Sequence, residues 1–213
     1  MLDFNKLING FRVFKATKYQ INKDLITHLQ TQGQKPSTMV ISSCDIKISP
    51  AEIFSVNPGE LFVLNNIGGL VPKYQTEGIS GIMSALEYAV NDLEVENIMI
   101  LGHSKSISAK MIMSEDFVEQ KSKISEAMKK WLSIASEARD AVKKQLSQSN
   151  IEEQQVAFEK EAIIISLRNL LTYPYIKERV EKNKLKIFAW QFDFESGDVL
   201  AFNTEKKIFE SIS

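Results

Sequence analysis

The sequence predicts an α/β fold built on a mainly parallel sheet. Three observations predict it. Short apolar runs stand at Thr38-Met39-Val40-Ile41-Ser42, Leu61-Phe62-Val63-Leu64 and Asn97-Ile98-Met99-Ile100-Leu101, the pattern of strands buried on both faces. Between the second and third, residues 78–94 carry apolar side chains at helical spacing: Ile79, Ile82, Met83, Leu86, Tyr88, Ala89 and Leu93. Strand–helix–strand alternation with short links argues for parallel strands joined by crossovers. Near the end, Leu185 to Phe192 and Val199 to Phe202 are joined through Ser196-Gly197, which predicts a hairpin.

The remaining elements follow in chain order. Leu2 to about Gln32 is helix-like with one break, and Gly33 with Pro36 ends it. Ser106 before Ile107–Met113 is an N-cap opening a short helix. Residues 115–160 hold most of the dense charge and predict solvated helices. No repeat, Pro-rich linker or low-complexity tract divides the chain. The expectation is one domain over 1–213, with an N-terminal helical arm at 1–32 and a variable helical segment at 114–155.

Composition bounds the function. The 213 residues are 44% hydrophobic and 25% charged, enough for one substantial core. A net charge of −1 gives neither nucleic acid nor an anionic membrane a reason to bind. One cysteine precludes an intrachain disulfide and suits a reducing compartment. No basic stretch followed by an apolar run marks a signal peptide, and no apolar stretch approaches the roughly 20 residues that span a bilayer. A soluble, cytoplasmic protein is the expectation.

Candidate site residues lie just past strand ends, where ligands bind in open α/β sheets. Ser43-Cys44-Asp45-Ile46-Lys47 follows the first strand, and Gly102-His103-Ser104-Lys105-Ser106 follows the third. These two stretches resemble the Cys-x-Asp-x-Arg and Gly-His-x-x-Cys-Gly motifs of the β-class carbonic anhydrases. Gly33-Gln34-Lys35-Pro36, Pro58 to Val63, Ser84 to Val90 and Ser166 to Pro174 continue the resemblance in the family's order, which is to the plant-like members.

That resemblance implies the β-carbonic anhydrase fold: a mainly parallel central sheet flanked by helices, with an N-terminal helical arm and a late antiparallel hairpin. It implies that Ser43, His103 and Ser106 stand where two cysteines and a histidine hold zinc, both cysteines being serine here. Asp45 and Lys47 match the aspartate–arginine pair that gates the fourth zinc position, and Lys47 keeps the charge without the bidentate fork. Gln34, Phe62, Ile67 and Tyr88 match residues of the substrate cleft; Asn65, Gly69 and Ile107 depart from the family pattern.

A serine hydroxyl is neutral and hard where thiolate is anionic and soft, so the cofactor expectation is none, or zinc if the site functions. Three readings stand. One is a homologue with a degenerate zinc site, weak or inactive in CO₂ hydration, serving as a binding or partner protein. The second is a working enzyme interconverting CO₂ and bicarbonate with an unusual or metal-free site. The third is a small-anion site in which Ser104 and Lys105 join the start of the Ile107–Met113 helix. Family members are built from dimers with embracing N-terminal helices, so Leu7, Ile8, Phe11, Val13, Phe14 and Tyr19 predict a homodimer or higher homo-oligomer. Cys44 is expected to be a small buried residue facing away from Ser43, and His28 a surface residue.

Overall fold

In the computed structural model, residues 3–118 and 124–212 are described. Met1 and Leu2 at the start of the expected arm, and residues 119–123 of the expected variable segment, lie outside them.

Six strands form one sheet: β1 (Thr38–Ser43), β2 (Leu61–Asn66), β3 (Asn97–His103), β4 (Lys186–Phe192), β5 (Val199–Asn203) and β6 (Ile208–Ser211). Their spatial order is β2-β1-β3-β4-β5-β6. The first four are mutually parallel, and β5 and β6 add antiparallel. Alternation along β1 and β3 explains their unbroken apolar runs. Met39, Ile41, Ile98 and Ile100 enter one core cluster, while Val40, Met99 and Leu101 enter another on the opposite face. A strand covered on both sides needs apolar residues at both parities. The last strand, β6, was not expected: Ile208-Phe209-Glu210-Ser211 is too short and mixed to signal itself.

The arm consists of α1 (Phe4–Ala16), α2 (Lys18–Ile21) and α3 (Lys23–Gln32). It has two breaks rather than the expected one. The Thr17 hydroxyl donates back to the Val13 carbonyl at 2.7 Å, and the Asn22 amide does the same to Lys18 at 2.9 Å; both compete with helix continuation. Gly33 then ends α3 at φ +75°. No residue of the three helices is buried, although Phe4, Phe11 and Val13 are 60% or more exposed.

Short helix α4 (Pro50–Ile53) opens on a reciprocal Ser49–Glu52 capping box. The helix expected over 78–94 is shorter. Gly78 at φ +92° precedes it, Ser80 caps α5 (Gly81–Glu87), and the chain then widens over Tyr88–Asp92, with the Leu93 N–H reaching the Tyr88 carbonyl five residues back. Next come α6 (Ile107–Met113), α7 (Glu115–Val118), α8 (Glu126–Leu132), α9 (Ser136–Gln145), α10 (Ile151–Leu170) and α11 (Pro174–Glu181). The charge-dense stretch is not merely solvated. Leu132, Ala135, Ala138, Val142 and Phe158 bury one face of α8 to α10 with Ala109 and Ile112 of α6, forming a third cluster. Charge density hid this because small apolar residues at helical spacing are outnumbered by their polar neighbours.

Gly102 makes room for a side chain of α10. A Cβ there would sit 2.5 Å from Cδ1 and 2.7 Å from Cγ1 of Ile163, so any other residue would force that side chain to shift. Among the described residues, no helix is long and apolar enough to cross a membrane.

Candidate functional site

The carboxyl ends of β1 and β3 deliver Ser43 and His103 side by side, and three further segments close around them: the turn after β2, the start of α6 and one turn of α10. Ser43 and His103 are buried, 2% and 3% exposed. Asp45 joins them. Its Oδ1 accepts the Ser43 hydroxyl and lies 3.1 Å from His103 Nε2, and its Oδ2 accepts the Ile107 N–H at 2.8 Å. One carboxylate thus ties the β1 loop, the end of β3 and the first turn of α6.

His103 Nδ1 lies 2.9 Å from the Ser104 carbonyl. Both ring nitrogens therefore face acceptors. Phe194 packs edge-on against the imidazole, with ring centroids 5.5 Å apart. Burial alone would raise the Asp45 carboxyl; the bonds from His103, Ser43 and the Ile107 N–H outweigh it and hold the carboxyl well below the usual carboxylate range.

A pH dependence follows. In the unfolded chain Asp45 titrates near its ordinary value of about 4, and in the folded protein lower. Its contribution to stability is therefore present above about pH 4 and lost as pH falls below it. Urea unfolding between about pH 6 and pH 3 is expected to show a steeper acid loss in the wild type than in Asp45→Asn; parallel curves would refute that role.

Ser43 is doubly used, since its oxygen also accepts the Gly68 N–H at 3.1 Å. Gly68 adopts φ +80°, a conformation glycine reaches without a Cβ penalty. Ser106 caps α6: its oxygen accepts the Ala109 N–H at 3.3 Å and lies 2.8 Å from the Ser108 hydroxyl. Its own N–H donates to Glu159 Oε1 at 2.9 Å. Ser43, His103, Ser106, Ser108 and Glu159 line one internal chamber of about 30 Å³.

Other sequence candidates fall elsewhere. Lys47 does not reach Asp45; its ammonium lies 4.6 Å over the Phe194 ring, a cation–π contact. Lys105 is paired with Glu195 at 3.0 Å, and Ser104 donates to Asp193 at 3.1 Å. Both line a surface groove that also holds Glu152 and Glu159, and the Ser106 and Ile107 N–H groups at the start of α6 already meet carboxylates. Ile67 precedes Gly68 at the site, and its carbonyl accepts from the Trp131 indole at 2.8 Å. Phe62 pairs in register with Met39, near the start of β1, whereas Ser43 at the strand's end pairs with Asn66. Four residues of strand separate the two, about 13 Å. Tyr88 packs with Phe62, ring centroids 6.0 Å apart, and Gln34 lies exposed in the link before β1. One chain therefore does not bring Gln34, Phe62 and Tyr88 to Asp45.

Cys44 is exposed, against the expectation that it is buried. It lies just past the end of β1, where its backbone N–H bonds the Asn66 carbonyl at 2.8 Å. His28 is exposed, as expected. Sequence reasoning missed Glu159, Ser108 and Phe194. Nothing local marks Glu159, one carboxylate in a charged run, and Phe194 sits in a turn with no periodicity to interpret.

A family model described as carbonic anhydrase matches residues 38–199. Beta carbonic anhydrase 3 of Arabidopsis thaliana is 36% identical over 202 residues, covering 92% of this chain and 78% of that protein. The solved β-carbonic anhydrase CcaA aligns with a TM-score of 0.91 at 28% identity, over 98% of this chain and 92% of that one. A structure from a study of two tetrameric β-carbonic anhydrases of Sordaria macrospora aligns with a TM-score of 0.82 at 21% identity, over 94% and 96%.

Proposed function

The chain belongs to the β class of the carbonic anhydrase family, and from that premise we propose that it is a homologue whose zinc site has become a hydrogen-bonded network, weak or inactive in CO₂ hydration and serving as a binding or partner protein. The observation that carries this is that each side chain at the family's ligand positions is tied into hydrogen bonds within the chain. The Ser43 hydroxyl is given to Asp45 and takes the Gly68 N–H, Ser106 caps α6, and both His103 nitrogens face acceptors.

Catalytic zinc takes three protein ligands, thiolate, imidazole or carboxylate, and leaves one position open. Two neutral hydroxyls and an imidazole already bonded on both sides do not fit that requirement. Asp45 adds a carboxylate, but its oxygens are taken up by Ser43, His103 and the Ile107 N–H rather than standing free. No catalytic step through a metal is assigned to these residues.

The test is the metal content of protein produced with ample zinc, together with its CO₂ hydration rate. Well under one zinc per chain and little activity are expected; a stoichiometric zinc bonded to His103, located by anomalous scattering, overturns the reading. A second reading, a working carbonic anhydrase with an unusual or metal-free site, draws on the retained Asp45–His103 pair; it would show activity in the same assay, lost to chelator with an unusual zinc set and kept without metal.

The assembly proposed is a homodimer or higher homo-oligomer formed through the arm. Support comes from the apolar face of α1, which no other part of the described residues buries, because a helix this apolar needs cover. The separation of Gln34, Phe62 and Tyr88 from Asp45 within one chain adds to this, since a cleft containing both sets requires a second copy. Sedimentation is expected to give at least a dimer at micromolar concentration. Phe11→Glu with Phe14→Glu should shift it to monomer, and a wild-type monomer would remove the proposal.

A further inference from the structure

Glu159 presents a problem that the network around Asp45 does not solve. The residue is 5% exposed and sits in α10. Its Oε1 is well used, accepting the Ser106 N–H at 2.9 Å and the Gln155 amide at 3.2 Å. Its Oε2 is buried and, among the described side chains, is the polar atom without a hydrogen-bond partner. Buried polar atoms are nearly always paired, because leaving one unpaired forfeits its hydration with nothing in return.

The surroundings narrow the partner. Glu159 lines both the internal chamber and the surface groove beside Lys105 and Lys160. In the groove Lys105 is paired with Glu195 and Lys160 lies over the Phe209 ring, which leaves the chamber to supply the partner. The chamber has a second unspent polar group. Ser106 and Ser108 carry one hydroxyl proton each and share one bond between their oxygens, while the Ala109 N–H occupies an acceptor position on Ser106. One hydroxyl proton of the pair is therefore surplus. The rest of the wall, including Leu70, Ile112 and Phe158, is apolar and can satisfy neither group.

We propose that the chamber is a structural water site, in which at least one buried water bridges Glu159 Oε2 to the Ser106–Ser108 hydroxyl pair. The size agrees: about 30 Å³ exceeds the roughly 10–15 Å³ of free space that admits one water. So does the chemistry, because the water accepts the surplus hydroxyl proton and offers its own to the carboxylate. Burial holds the Glu159 carboxyl above its ordinary range, and a water works with either form, taking a proton from the acid or giving one to the carboxylate. The water would join the cap of α6 to α10 next to the Asp45 network, so the first turn of α6 would be fixed from both sides. This inference rests on the proposed reading that no zinc occupies these positions, because Ser106 and His103 line the same chamber.

A crystal structure of the wild type at a resolution that orders solvent is expected to show a water within hydrogen-bond distance of Oε2. In solution, ¹⁷O magnetic relaxation dispersion should count at least one fewer long-lived water in Glu159→Leu than in the wild type, and an unchanged number in Glu159→Gln, whose amide still bonds water. A dry chamber, an Oε2 turned out to Lys105 or Lys160, or an anomalous peak identifying a metal there overturns the proposal. If Glu159→Leu fails to fold, the wild-type structure alone decides.

Discussion

Ser43→Cys combined with Ser106→Cys is expected to raise zinc affinity by three orders of magnitude or more. The two positions line the same chamber as His103, so the double variant places two thiolates and an imidazole around one point. Structural zinc sites are worth roughly 10–16 kcal/mol. If two thiolates supply about half of that, the gain is roughly 5–8 kcal/mol, about four to six decades in Kd. Zinc must also free His103 from one of its two acceptors, which lowers the gain from that ceiling. The variant loses the Ser106 cap of α6, at a cost of about 1 kcal/mol without metal, so folding is verified by circular dichroism before titration. Activity should recover less than binding, because Lys47 lies over Phe194 rather than beside Asp45. A folded double variant that binds zinc no better than the wild type would show that Ser43 and Ser106 are not at the ligand positions.

Asp45→Ala is expected to be the most damaging single substitution at the site. It leaves the Ser43 hydroxyl, the His103 ring and the Ile107 N–H without their shared acceptor. Hydrogen bonds to a charged group contribute about 1.5–3 kcal/mol each, and unpaired buried donors add a penalty. Rearrangement and water entry offset part of this, because the Asp45 side chain keeps 21% of its surface exposed. A net loss of about 2–4 kcal/mol follows, a fall in Tm of about 10 °C for a chain of this size. Glu195→Gln is the control, since it breaks an exposed, solvent-screened pair with Lys105 that contributes little to stability. Chelator should not reproduce the Asp45→Ala effect if the network rather than a metal holds the loops. An Asp45→Ala change no larger than that of Glu195→Gln would mean that the three segments are fixed by packing alone.

The sequence by itself determined the sheet's parallel core, because strands buried on both faces must be apolar at both parities, and β1 and β3 are. It determined the start of α6 as well, because a serine cap followed by a short apolar run has few other uses. It brought Ser43, Asp45 and His103 together through one rule, that parallel strands deliver their following residues to a common edge. All of these are local patterns or follow directly from them.

What only the tertiary structure decided are pairings between distant residues, and choices a side chain makes among several partners in reach. Lys47 has a long flexible stem, and whether it meets Asp45 or the Phe194 ring depends on a turn almost 150 residues later. Cys44 was expected inside because cysteine usually is, yet the strand ends at Ser43 and the next side chain meets solvent. Glu159 belongs to a charged run on α10, and only the docking of that helix, where Gly102 leaves room for the Ile163 side chain, turns one carboxylate of the run inward to the α6 cap 53 residues away. Periodicity fixes which face of an element is buried; it does not fix which polar group on the rim of that face finds a partner, because hydrogen bonds are set by tenths of an ångström in the packing of elements far apart in the chain.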